Sequence, residues 1–177
     1  SAASDVYKRQ AIDPINAISK ICKENNIWLH IDGSIGGIFA ITNIFISGFS
    51  KLNCANSITI NPQKILGITK TSSILIVSDI EVLKRTFATG LPYVSSESNT
   101  VNRGELGIQG SRPAEIIKLW LGLRFLGING IEDVLNSSIE RRIFFENNLS
   151  KEIYDLYSGP LHICLLYTSP SPRDLST

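Results

Sequence analysis

IWLHIDGSIGG (Ile27–Gly37) and SITINPQKILG (Ser57–Gly67) decide how this chain folds. Ile27 to Ile31 is too short for a helix and nearly all apolar, which predicts a strand buried on both faces of a parallel sheet. It ends at Asp32, with a glycine-rich turn behind it. Ser57 to Ile60 predicts a second short strand, with Asn61 to Lys64 leaving its carboxyl end. In an open α/β sheet the ligand crevice lies at the carboxyl ends of the strands. Asp32 and Lys64, 32 positions apart, are therefore expected on the same edge.

Upstream, Ala11 to Asn26 carries a helix signature. Asp13 is placed to cap it, Pro14 suits the first turn, Ile15, Ile18, Ile21 and Cys22 form the apolar face, and Asn25 and Asn26 stop it. Downstream, Gly36 to Lys51 predicts an irregular or partly helical connection. Ile74 to Val77 predicts a third strand, and Asp79 a cap for a helix from Ile80 to Arg85. Thr89 to Gly110 is rich in Gly, Ser, Asn and Pro, a long loop of the kind that carries function. A helix is expected from Pro113 to about Leu126, with Ile116, Ile117, Trp120, Leu121 and Leu123 inward and Gly127 as its stop. Another runs from Ile131 to about Leu149, using Val134, Leu135, Ile139, Phe144 and Phe145. No internal repeat is present, and the order of strands and helices gives an α/β architecture.

The two ends do not match the middle. DVYKRQ (Asp5–Gln10) back-translates as GAT GTG TAT AAG AGA CAG, whose reverse complement, read in a shifted frame, encodes CLLYTS, the residues Cys164–Ser169. One inverted DNA element at both ends is what a translated sequencing adapter leaves. Residues 1–10 and 164–177 are accordingly expected to be adapter-derived and are set aside. The middle is then an internal fragment, expected to be inactive and poorly folded alone. It keeps 14 basic and 14 acidic residues, a balance that gives no electrostatic case for nucleic acid or an anionic membrane. Ile35 to Phe49 is too short and too polar to span a bilayer. Cys22 and Cys54 lack metal-ligand spacing and suit reduced thiols in a cytoplasmic protein.

An acid and a lysine at neighbouring strand ends suit pyridoxal phosphate. That cofactor needs a lysine for an imine linkage, a carboxylate to keep the pyridine nitrogen protonated, and donors for its phosphate. Lys64 and Asp32 meet the first two needs, and Asn61 and Gln63 are placed for the third.

AIDPI (Ala11–Ile15), WLHIDGSIGG (Trp28–Gly37), ANSITINPQK (Ala55–Lys64) and IQGSRPAEIIKLWL (Ile108–Leu121) occur in this order. Together they resemble the group II pyridoxal phosphate-dependent amino acid decarboxylases, the family of glutamate, aromatic amino acid and diaminobutyrate decarboxylases. The resemblance implies the fold-type I, aspartate aminotransferase-like α/β fold. Residues 11–127 would be the second part of its large domain and residues 128–163 the start of the small C-terminal domain. It implies a homodimer acting on an amino acid, with carbon dioxide and an amine as products. Lys64 would hold the cofactor covalently and Asp32 would pair with its ring nitrogen. Asn61 and Gln63 would reach its phosphate, and Gly33 and Ser34 would replace a small Ala-Ala pair against the ring.

Two departures stand out. Gln63 occupies a position where His is commoner; an amide still donates to phosphate but carries no proton. Asn102 falls where aromatic amino acid decarboxylases carry a loop tyrosine associated with carbanion protonation, and no tyrosine lies between Val94 and Gly110. An aldehyde synthase, an aminotransferase and a non-catalytic family member therefore stay open. His30, inside an apolar run, is expected to be a hydrogen-bonded core residue, and Trp120 core. Arg112 is expected in a structural ion pair, His162 has no role, and GSIGG lacks dinucleotide-loop spacing.

Overall fold

The structure is a computed structural model that describes residues 2–3, 12–44, 52–68, 73–89, 103–150 and 154–168. A four-stranded sheet organises it: β1 (Ala2–Ala3), β2 (His30–Asp32), β3 (Ser57–Ile60) and β4 (Ile74–Val77), adjacent in that order. β1 and β2 are parallel, as are β2 and β3, whereas β4 returns antiparallel to β3. A separate hairpin pairs β5 (Tyr154–Ser158) with β6 (Cys164–Thr168). Segments set aside as adapter-derived thus supply β1 and β6.

β3 and β4 start and stop where expected, but β2 is displaced from the expected Ile27 to Ile31. Leu29 N bonds the Asn56 side chain at 2.8 Å instead of a strand carbonyl, so the regular ladder opens only at His30. Nor is β2 buried on both faces: Leu29 and Ile31 are buried, while Trp28 and Asp32 are exposed. Their apolar face meets helix α1 (Ile15–Glu24) and Leu52. In α1, Ile15, Ile18, Ser19 and Cys22 form one i, i+3, i+4, i+7 stripe. Ile21 lies off that stripe and is exposed, correcting the expected face. Pro14, not Asp13, occupies the cap position, with no side-chain bond to the helix. At the other end Asn25 closes the helix, its side-chain nitrogen donating to Ile21 O at 2.9 Å.

Asp79 caps α2 (Ile80–Phe87) as expected, accepting from Glu81 N at 3.0 Å. Helix α3 (Glu115–Asn148) is broken at Gly127, whose φ of 60° is the left-handed region that favours glycine. Before the break the covered face is Leu119, Leu123 and Leu126, with Ile68 packed against Gly122. Ile116, Ile117, Trp120 and Leu121 are exposed. This half is apolar on two faces, and the elements described cover the other one. After the break Ile131 and Leu135 enter the main core with Ile38, Phe39, Ile60, Leu66 and Leu161, but Phe144 and Phe145 point outward. No helix among the described residues is long and apolar enough to cross a membrane.

Candidate active site

Asp32 ends β2 and is in register with Thr59 of β3. Two residues past the end of β3, the chain turns through a short 3-10 helix (Pro62–Lys64) that carries Gln63 and Lys64. The turn is fixed at both ends: Asn61 N donates to Ser34 O at 3.2 Å, and Lys64 N to Asn61 O at 3.0 Å. The acid and the lysine therefore emerge from adjacent parallel strands at one edge of the sheet.

Ser34 belongs to Asp32. Its backbone N–H donates to Oδ1 at 3.0 Å, and its hydroxyl donates to the same oxygen. The hydroxyl bond is the chief influence on Asp32. Partial burial opposes it, and the Ser34 N–H and the charge of Lys64 reinforce it. The net effect holds the carboxyl below its ordinary value, so Asp32 is an anion at neutral pH. Both Ser34 bonds fall on Oδ1.

Close backbone packing shapes the turn after Asp32. Gly37 N donates to Gly33 O at 2.8 Å, and a Cβ at Gly33 would lie 3.0 Å from both Thr59 O and Gly37 Cα. Lys64 is exposed. Gln63 has a buried side-chain oxygen with no hydrogen-bond partner among the described residues. Asn61 Oδ1 accepts from Ser73 Oγ at 2.5 Å. Ser73 in turn borders a cleft of about 580 Å³ lined also by Arg103, Gln109, Arg112, Glu115 and Leu119. There Arg112 closes a turn, Nε donating to Gln109 O at 3.1 Å. That bond, not the expected ion pair, is what holds it among the described residues. Asn102 lies outside them.

One part of the site is missing from the sequence expectations. Trp28 Nε1 donates to Ser57 Oγ at 2.9 Å, Ser57 Oγ meets His30 Nδ1 at 2.7 Å, and His30 Nε2 meets Thr59 Oγ1 at 3.3 Å. The signal was the alternation of Trp28, His30, Asp32 and of Ser57, Thr59, Asn61 at a period of two. An apolar-run reading of Ile27 to Ile31 passes over it.

Residues 8–157 match the family model described as the pyridoxal-dependent decarboxylase conserved domain. The chain belongs to that family. Pyridoxal phosphate is the family's cofactor, and its members include amino acid decarboxylases. Among curated relatives, the acidic amino acid decarboxylase GADL1 of Mus musculus is 27% identical over 174 residues, covering 93% of this chain and 32% of that protein. The Bos taurus counterpart is 29% identical, covering 93% and 33%. Among solved structures, mouse CSAD superposes with a TM-score of 0.75 at 23% identity, over 89% of this chain and 33% of that one. Oryza sativa TDC, solved with PLP and tryptamine, superposes with a TM-score of 0.84 at 18% identity, over 95% and 36%. The fold-type I α/β expectation is met, and the chain spans about a third of the length of the relatives it matches.

Proposed function

We propose that the full-length protein containing this segment is a pyridoxal phosphate-dependent decarboxylase that converts an L-amino acid to an amine and carbon dioxide. The observation that carries this reading is the pair Asp32 and Lys64, set at the ends of adjacent parallel strands with Asp32 held anionic by Ser34. Such a carboxylate keeps a pyridine nitrogen protonated, and the exposed Lys64 amine is free to reach an aldehyde. Gln63 also fits: its buried side-chain oxygen has no partner among the described residues, and with oxygen and nitrogen exchanged the amide would donate to a phosphate. The tight approach of Gly33 to Thr59 leaves no room for a side chain in the turn after Asp32.

When bound, the cofactor supplies an electron sink for the bond to the departing carboxylate. The chain's residues do the rest. Lys64 would hold the cofactor covalently, Asp32 would keep its ring nitrogen protonated, and Ser34 holds Asp32. Asn61 and Gln63 would reach its phosphate.

Product analysis of the full-length protein tests the assignment. Amine and carbon dioxide in equal amounts are expected, and the acidic amino acids for which the GADL1 relatives are named are the first substrates to try. A second reading is favoured by Asn102, which stands where the tyrosine would be. An aldehyde or keto acid product would show an aldehyde synthase or an aminotransferase, and no turnover with any amino acid would show a binding or regulatory subunit. We further propose a cytoplasmic homodimer, a domain boundary near Gly127, and an adapter origin for residues 1–10 and 164–177.

A further inference from the structure

The side chains of Trp28, His30, Ser57 and Thr59 form a single hydrogen-bonded line across β2 and β3, and donor chemistry gives it a direction. An indole N–H only donates, so Ser57 Oγ accepts from Trp28. Ser57 is 6% exposed, and its own proton needs an acceptor; His30 Nδ1, at 2.7 Å, is the one among the described residues. A nitrogen that accepts cannot carry the ring proton of a neutral imidazole. The proton therefore sits on Nε2, which faces Thr59 Oγ1 at 3.3 Å.

We propose that the Trp28–Ser57–His30–Thr59 chain fixes His30 as its Nε2–H tautomer and makes it the positioning residue for Asp32. The connection is geometric. His30 and Asp32 lie on the same face of β2, in register with Ser57 and Thr59 respectively. Holding His30 against both hydroxyls clamps β2 to β3 at the step before Asp32. Two strands that can slip or splay there would move the Asp32 carboxylate relative to the turn carrying Lys64. Trp28 closes the far end of the line, so the clamp spans both strands. The positioning half rests on Asp32 as the cofactor's carboxylate; the tautomer half does not.

The test uses the full-length protein with ring-15N-labelled histidine at pH 8, the His30 signals being those that vanish in His30→Gln. A protonated Nε2 and an unprotonated Nδ1 are expected in the cofactor-free protein, and Ser57→Ala should blur that preference into a mixture. The second measurement is pyridoxal phosphate affinity. His30→Phe should weaken it by ~10-fold and His30→Gln, whose amide nitrogen restores a donor toward Thr59, by no more than ~3-fold, the range that one hydrogen bond spans. A protonated Nδ1, or equal affinities in wild type and His30→Phe, would overturn the proposal. Wild-type protein that binds no cofactor would instead sink the decarboxylase reading and with it the positioning role, leaving the nitrogen signals to decide the tautomer.

Discussion

Asp32 and Thr59 face each other in the parallel pairing of β2 and β3, so that a carboxylate held by Ser34 sits beside the strand that leads to Lys64. Neither strand exceeds four residues, and each delivers its functional group at its carboxyl end. Everything proposed for the site depends on that edge keeping its shape and charge.

Ser34→Ala should raise the Asp32 pKa, because it removes the largest favourable influence on the carboxylate. In the native protein the lowered pKa gives a contribution present above the unfolded value. It is lost as pH falls through the folded value, below the ordinary 3.8. The variant should lose that contribution at a higher pH than wild type. Titration of the Asp32 carboxyl by NMR checks the direction; an unchanged midpoint would show that Ser34 does not hold the anion.

Gly37→Ala should destabilise the fold by about 1–3 kcal/mol, the usual cost of overpacking. Its new methyl would lie 2.9 Å from Ile60 Cγ1, near the root of a buried side chain. Urea unfolding of the full-length variant against wild type measures it.

Leu135→Ala should cost about 2–5 kcal/mol, because Leu135 is fully buried and joins the part of α3 after Gly127 to Phe39 and Ile60. Phe144→Ala, on an exposed position of the same helix, should stay within about 0.5 kcal/mol. Equal losses would mean that the residues after Gly127 do not pack on the core as described.

Features governed by a few neighbouring residues were legible in the sequence. Ser57 to Ile60, Ile74 to Val77, the Asp79 cap and the break at Gly127 all follow from short apolar runs, a capping carboxylate and a residue tolerant of positive φ. Burial faces were less so. In α3, Ile116 and Trp120 are as apolar as Leu119 and Leu123, and only tertiary packing selects which stripe is covered. Of the site, the order of Asp32, Asn61, Gln63 and Lys64 was readable. The Trp28–Ser57–His30–Thr59 line was not, because it joins residues 27 to 29 positions apart, and Ser34's attachment to Asp32, though local, depends on the turn geometry after β2.

The central claim is that Lys64 holds the cofactor beside Asp32, and covalent trapping tests it most directly. Full-length protein is incubated with pyridoxal phosphate, reduced with borohydride, digested and mapped by mass. A pyridoxyl adduct on the peptide carrying Lys64, absent from Lys64→Ala, is the predicted result. Cofactor bound with Lys64 unmodified, or an adduct on another lysine that survives Lys64→Ala, would contradict it.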